Sequence, residues 1–113
     1  MFDSVSINAL SSALDGLAAR QRAIADNIAN INTPGFRAQR VSFEDALAAS
    51  VSNGSGVVAP RLERSAEPTR TDGNNVNLDT ETISSIDTLL RYQFATRAID
   101  VPFAEVRAAM RTS

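Results

Sequence analysis

Asp72-Gly73-Asn74-Asn75-Val76-Asn77 is the stretch of this chain whose residue types most invite ligand chemistry. Oxygen-bearing side chains crowded around a glycine are what a calcium loop requires. The spacing fails that test: Asn77 stands where the loop's glycine belongs, Val76 replaces a ligand, and Ile83 takes the place of the bidentate acid. The run therefore predicts a turn leading into a helix N-terminus. Composition narrows covalent and acid-base chemistry further, and a hydrolase built from Ser and carboxylates alone would be rare. Cysteine and histidine are both absent, which removes thiol nucleophiles, disulfides, the usual zinc sites and imidazole catalysis together. Ser, Asp and Glu are plentiful, but no spacing among them forms a nucleophile, a base and an oxyanion site. The expectation is a protein that is not an enzyme and holds no metal or cofactor.

Chemistry being absent, the apolar pattern must carry the function. A chain of 113 residues is one domain or less, and 43% apolar content is compatible with a core. Aromatics make up 5%, tryptophan is absent, and large branched residues gather near the two ends, an arrangement that suits seams and needs partners. The net charge is -2 and the basic residues, all arginine, are scattered, which argues against a nucleic-acid footprint or an anionic-membrane patch. The first residues lack a basic region and an uninterrupted apolar run, so a cleaved secretory signal is not expected, nor is a membrane span.

From Ile7 the apolar positions fall at Leu10, Leu14, Leu17, then polar Gln21, then Ile24, Ile28 and Ile31. Steps of three and four make this a heptad seam with one polar insertion. Alanines on its flanks favour helix and allow close approach. A helix from about Ser4 to about Ile31 would be roughly 40 Å long. A second helix is expected from the N-cap candidates Asn77 or Asp79 toward Met110, with a seam at Leu89, Tyr92, Thr96, Ile99, Phe103, Val106 and Met110. Ile83, Ile86, Leu90, Phe94 and Val101 lie mostly on its opposite face. A helix apolar on two sides needs several neighbours, and in a chain this small they must come from other subunits. Pro102 removes a backbone hydrogen bond and clashes with the preceding turn, so a kink or a restart of the helix is expected there.

Between the helices, Thr33-Pro34-Gly35 ends the first one: proline biases Thr33 away from helix, and Pro34-Gly35 fits the centre of a type II turn. Asn27 and Asn30, poor helix-interior residues, are expected to hold the returning loop or a neighbouring subunit, or simply to cap a fraying end. Phe36 and Phe43 are sparse anchors, with a helical turn possible over 43–47, and the Ser/Gly/Pro/Asn-rich stretch 51–75 is expected to be irregular and mobile in a lone chain. The fold class expected is all-α: an N-terminal coiled-coil helix over 1–32, an irregular middle over 33–77 and a C-terminal coiled-coil helix over 78–113.

The run Ala25-Asp26-Asn27-Ile28-Ala29-Asn30-Ile31-Asn32-Thr33-Pro34-Gly35-Phe36-Arg37-Ala38 resembles the N-terminal signature shared by bacterial flagellar rod, hook and hook-associated proteins. The short length, Asp72 to Asp79, and Leu90-Arg91-Tyr92-Gln93 narrow the resemblance to the proximal rod proteins of the flagellar basal body. What the resemblance implies is a structural subunit. Terminal helices of many copies would pack as a tubular layer of coiled coils, forming a rod that crosses the periplasm around an export channel and transmits torque. Its partners would be other rod subunits and basal-body proteins at the junction with the membrane ring and export gate, with no nucleic acid and no small-molecule substrate. Export would proceed unfolded through the flagellar type III apparatus, without a cleaved signal. The chain departs from the family around Asp100-Val101-Pro102-Phe103, usually Asn and basic residues without proline, and in the polarity of Thr96-Arg97-Ala98.

On this reading the subunit interface comprises Leu10, Leu14, Leu17, Ile24, Ile28, Leu89, Tyr92, Ile99 and Phe103, and the signature turn Asn27, Asn30, Thr33, Pro34 and Gly35. The isolated chain would be poorly folded, because two unpaired amphipathic helices bury too little to offset ordering entropy. The alternatives are a soluble helical adaptor or chaperone-like binder of closed stoichiometry, and a divergent rod-protein copy with a changed partner.

Overall fold

The computed structural model describes residues 4–112, with side chains described over residues 4–98. Helix α1 spans Ser4–Ala29, strand β1 Gln39–Ser42, helix α2 Glu44–Ser52, strand β2 Arg61–Arg64 and helix α3 Leu78–Thr112. The two long helices run antiparallel: Asn27 of α1 reaches Glu81, Gln21 reaches Ser85, and Leu17 shares a groove with Thr88 and Tyr92 of α3. The molecule is correspondingly elongated, 67 × 29 × 15 Å. Asn77 caps α3, its Oδ1 accepting the N–H groups of Asp79 (3.0 Å) and Thr80 (3.2 Å).

The fold is mostly helical but not all-α. Strands β1 and β2 pair antiparallel, with Gln39 opposite Arg64 and Ser42 opposite Arg61, and α2 extends the expected turn at Phe43 to nine residues. Regular structure therefore fills part of the middle segment, where none beyond a helical turn is expected from its composition. The reason lies on α1. Gly16 leaves a gap that the Phe43 ring fills, so closely that a Cβ there would sit 2.4 Å from Cδ1 of the ring. Arg20 lies over the Phe43 ring, 5.0 Å from its centroid, and donates to the Val41 carbonyl (2.7 Å). Leu17, Ala23, Val41 and Phe43 form the resulting core. The small residues of α1 thus admit the chain's own middle segment.

Helix α3 is continuous through Pro102, so the separate helical restart expected there does not occur. No helix among the described residues is long and apolar enough to cross a membrane.

A polar clamp and the apolar face it presents

The end of α1 is held by amide chemistry. Asn27, fully buried, places its carboxamide against the backbone of Gln39 as a neighbouring strand would: Oδ1 accepts the Gln39 N–H (2.7 Å) and Nδ2 donates to the Gln39 carbonyl (3.0 Å). The same Nδ2 donates to Oε2 of Glu81 (3.1 Å), and Arg40 Nη1 donates to Oε1 of Glu81 (2.7 Å). Glu81 is fully buried in the first turn of α3. A carboxylate there needs its charge and lone pairs satisfied, and Arg40 and Asn27 do both. One amide thereby ties together α1, β1 and α3.

A second layer locks the turn. The Phe36 N–H donates to the Thr33 carbonyl (3.2 Å) and Gly35 has φ of 75°, the geometry of a type II turn with Pro34-Gly35 at its centre. The run from Asp72 closes on that turn. Gly35 donates its N–H to the Asp72 carbonyl (2.8 Å), while Asn74, also fully buried, donates Nδ2 to the carbonyls of Asn30 (2.8 Å) and Thr33 (2.9 Å). Both carbonyls lie just past the end of α1 and already accept a backbone N–H, Asn30 from Thr33 (3.0 Å) and Thr33 from Phe36, so Asn74 adds a second bond to each. Asn75 Oδ1 accepts the Ala38 N–H (2.6 Å), and Arg70 donates Nη1 to the Val76 carbonyl (3.0 Å) and Nη2 to that of Ile31. Asn30 itself points outward, bonding Asp26 O (2.8 Å) and accepting from Thr33 Oγ1 (3.1 Å).

The apolar residues divide differently from the expected interface. Leu17 and Ile24 are buried within the chain's own core, Leu10 and Leu14 are half-buried, and Ile28 is exposed. An Ile24→Asp change would thus disrupt this chain's folding as well as any contact between chains. On α3 the side toward α1 begins with Glu81, Ser84, Ser85 and Thr88, small or polar. Leu89 and Tyr92 line an open apolar groove of about 460 Å³ with Leu17, Ala18 and Ala25. Ile99 and Phe103 lie beyond the described side chains. The opposite face of α3 is bare: Ile83 is 69% and Phe94 78% exposed, with Ile86 and Leu90 between them. Among the described residues no cluster of acids could hold a metal ion.

Sequence reasoning missed Glu81, Arg40, Asn74 and Asn75. Glu81 in a first helical turn reads as a favourable dipole partner in solvent. Only the pairing of Asn74-Asn75 beside a glycine, too rich in amides for a plain turn, hinted at more.

Residues 7–37, the seam and its terminal turn, match the family model described as "Flagella basal body rod protein". The chain is 39% identical over 66 residues to the flagellar basal body rod protein FlgB of Borrelia hermsii, covering 58% of this chain and 42% of that protein. Over these stretches the chain is similar to flagellar basal-body rod proteins. FlgB of Borreliella burgdorferi is 56% identical over 34 residues, 30% of this chain and 25% of that protein. The flagellar basal-body rod protein FlgG of Caulobacter vibrioides is 37% identical over 73 residues, 62% of this chain and 24% of that protein. The chain thus spans less than half the length of the curated relatives it matches. The family-model match ends at Arg37, inside the segment that the loop from Asp72 locks.

Proposed function

We propose that this chain is a FlgB-like structural subunit of the flagellar basal-body rod, assembling through α1 and α3 into the proximal rod that surrounds the export channel and transmits torque across the periplasm. The observation that carries the reading is the bare outer face of α3, where Ile83, Ile86, Leu90 and Phe94 form an apolar stripe that the chain itself leaves uncovered. Such a stripe on a helix marks a surface for other protein. Its partners on this reading are neighbouring rod subunits, whose head-to-tail contacts extend without closing. Leu89 and Tyr92, beside the groove, are the positions where an incoming helix would find both long helices at once.

The test is incorporation. In a strain lacking the native gene, the chain carrying Leu90→Asp and Phe94→Asp should be expressed and folded yet missing from purified basal bodies by quantitative mass spectrometry, with swimming lost. Wild-type chain should be present in amounts comparable with other rod proteins. Incorporation of the double variant at the wild-type level, or a wild-type chain that stays soluble outside basal bodies, would reject the rod reading.

A further inference from the structure

We propose that the outer edge of β2 pairs antiparallel with β2 of a second copy of this chain, centred on Leu62. The pairing of the sheet defines which backbone groups are free. Gln39 gives its one N–H to Asn27 Oδ1, so it is not bonded to Arg64 opposite. Ladder bonds therefore join Arg40 with Glu63 and Ser42 with Arg61, a phase that the bond from Ser65 N–H to the Ala38 carbonyl continues. The backbone groups of Leu62 and Arg64 consequently face away from β1. The far edge of β1 is covered by α1, through Asn27 on Gln39 and Arg20 on the Val41 carbonyl. The sheet is blunted on one edge and open on the other.

The sequence of that open edge is self-complementary. An antiparallel pair of β2 strands about Leu62 sets Leu62 against Leu62, and Arg61 of each copy against Glu63 of the other. Centring on Arg64 instead would oppose two arginines, which is unfavourable. The Leu62 pair exchanges two hydrogen bonds, and each Arg64 N–H meets the Pro60 carbonyl of the other copy. Proline has no N–H, so pairing ends there. Leu62 is 58% exposed, and Arg61 and Glu63 already form an exposed ion pair at 2.8 Å within one chain, on the side chains that would cross. The product is a four-stranded sheet in which both outer edges are covered by α1, so association stops at two copies. This closed contact is separate from the non-closing contacts proposed for α1 and α3.

Sedimentation equilibrium on the full chain over a concentration series is the test. Wild type should dimerise weakly, Glu63→Arg should weaken the dimer at least about fivefold by opposing arginines, and Arg61→Glu combined with Glu63→Arg should restore it to within about twofold. All three should show the same circular dichroism, since both side chains are exposed. The Leu62 amide should gain exchange protection as wild-type concentration rises. A chain that stays monomeric at millimolar concentration overturns the proposal, as does a dimer indifferent to Glu63→Arg, which would point to the apolar face of α3, or one not rescued by the double exchange.

Discussion

The turn end of the molecule and the shaft of α3 solve opposite problems. At the turn, three fully buried polar side chains are satisfied within the chain: Asn27, Asn74 and Glu81 are each hydrogen-bonded to backbone or to an ionic partner. Along the shaft, large apolar groups are left in water, with Phe94 the most exposed of them among the described residues. Polar networks fix geometry because they tolerate few arrangements, whereas apolar faces supply free energy to whatever covers them. The comparison suggests a division of labour in which the clamp sets the angle between α1 and α3 and the stripe waits for a neighbour.

Breaking the clamp should have the largest effect. Arg40→Met leaves the Glu81 carboxylate buried with one amide for company and should cost about 3 kcal/mol in urea denaturation, while pairing it with Glu81→Leu should recover most of that loss. Asn27→Ala strands the Gln39 N–H, leaves the Gln39 carbonyl only its bond from Arg40 Nη1 (3.2 Å), and should cost about 2 kcal/mol. Gly16→Ala drives a methyl into the Phe43 ring, and a loss of about 2 kcal/mol is expected despite the gain in helix propensity. The shaft should behave in the opposite way. Phe94→Ser should shift the stability of the isolated chain by no more than about 0.5 kcal/mol and yet reduce incorporation into basal bodies. A large stability loss there would mean that the stripe is not free in the single chain.

The smallest effect is acid sensitivity at α2. Burial pushes the Glu44 carboxyl up, but the hydrogen bond from Arg20, the backbone N–H groups of Glu44 and Phe43, and the Arg20 charge together outweigh it, holding the group below its ordinary range. A carboxyl whose pKa is depressed by folding contributes stability above its unfolded pKa and loses it as pH falls through the folded value. The attachment of α2 should therefore loosen on the acid side only, by a small amount because Glu44 is partly exposed. Glu44→Gln should remove that acid step from a pH titration of stability.

The long elements were legible because their signals are local. Heptad steps marked α1 and α3, Asn77 stood with Asp79 as a cap candidate, and Pro34-Gly35 marked the turn. Two apolar sides on α3 were also legible, and Ile83, Ile86, Leu90 and Phe94 stand exposed. The sheet was not legible, since Gln39-Arg40-Val41-Ser42 and Arg61-Leu62-Glu63-Arg64 are too short and charged to read as strands. What makes β1 a strand lies elsewhere in the chain, in the Asn27 amide and the gap at Gly16. The burial of Leu17 was illegible for the same reason: it packs in one cluster with Val41 and Phe43, residues more than twenty positions away.

The most direct test of the clamp is amide hydrogen exchange on the isolated chain, read residue by residue at a concentration where it is monomeric. The amides of Gly35, Ala38, Gln39 and Val76, whose acceptors are Asp72 O and the side chains of Asn75, Asn27 and Asn74, should be protected together, and Asn27→Ala should release them together. Exchange at the rate of an unstructured chain would mean that the turn end forms only with other subunits, and the clamp would lose its place as the element that sets the helices before assembly.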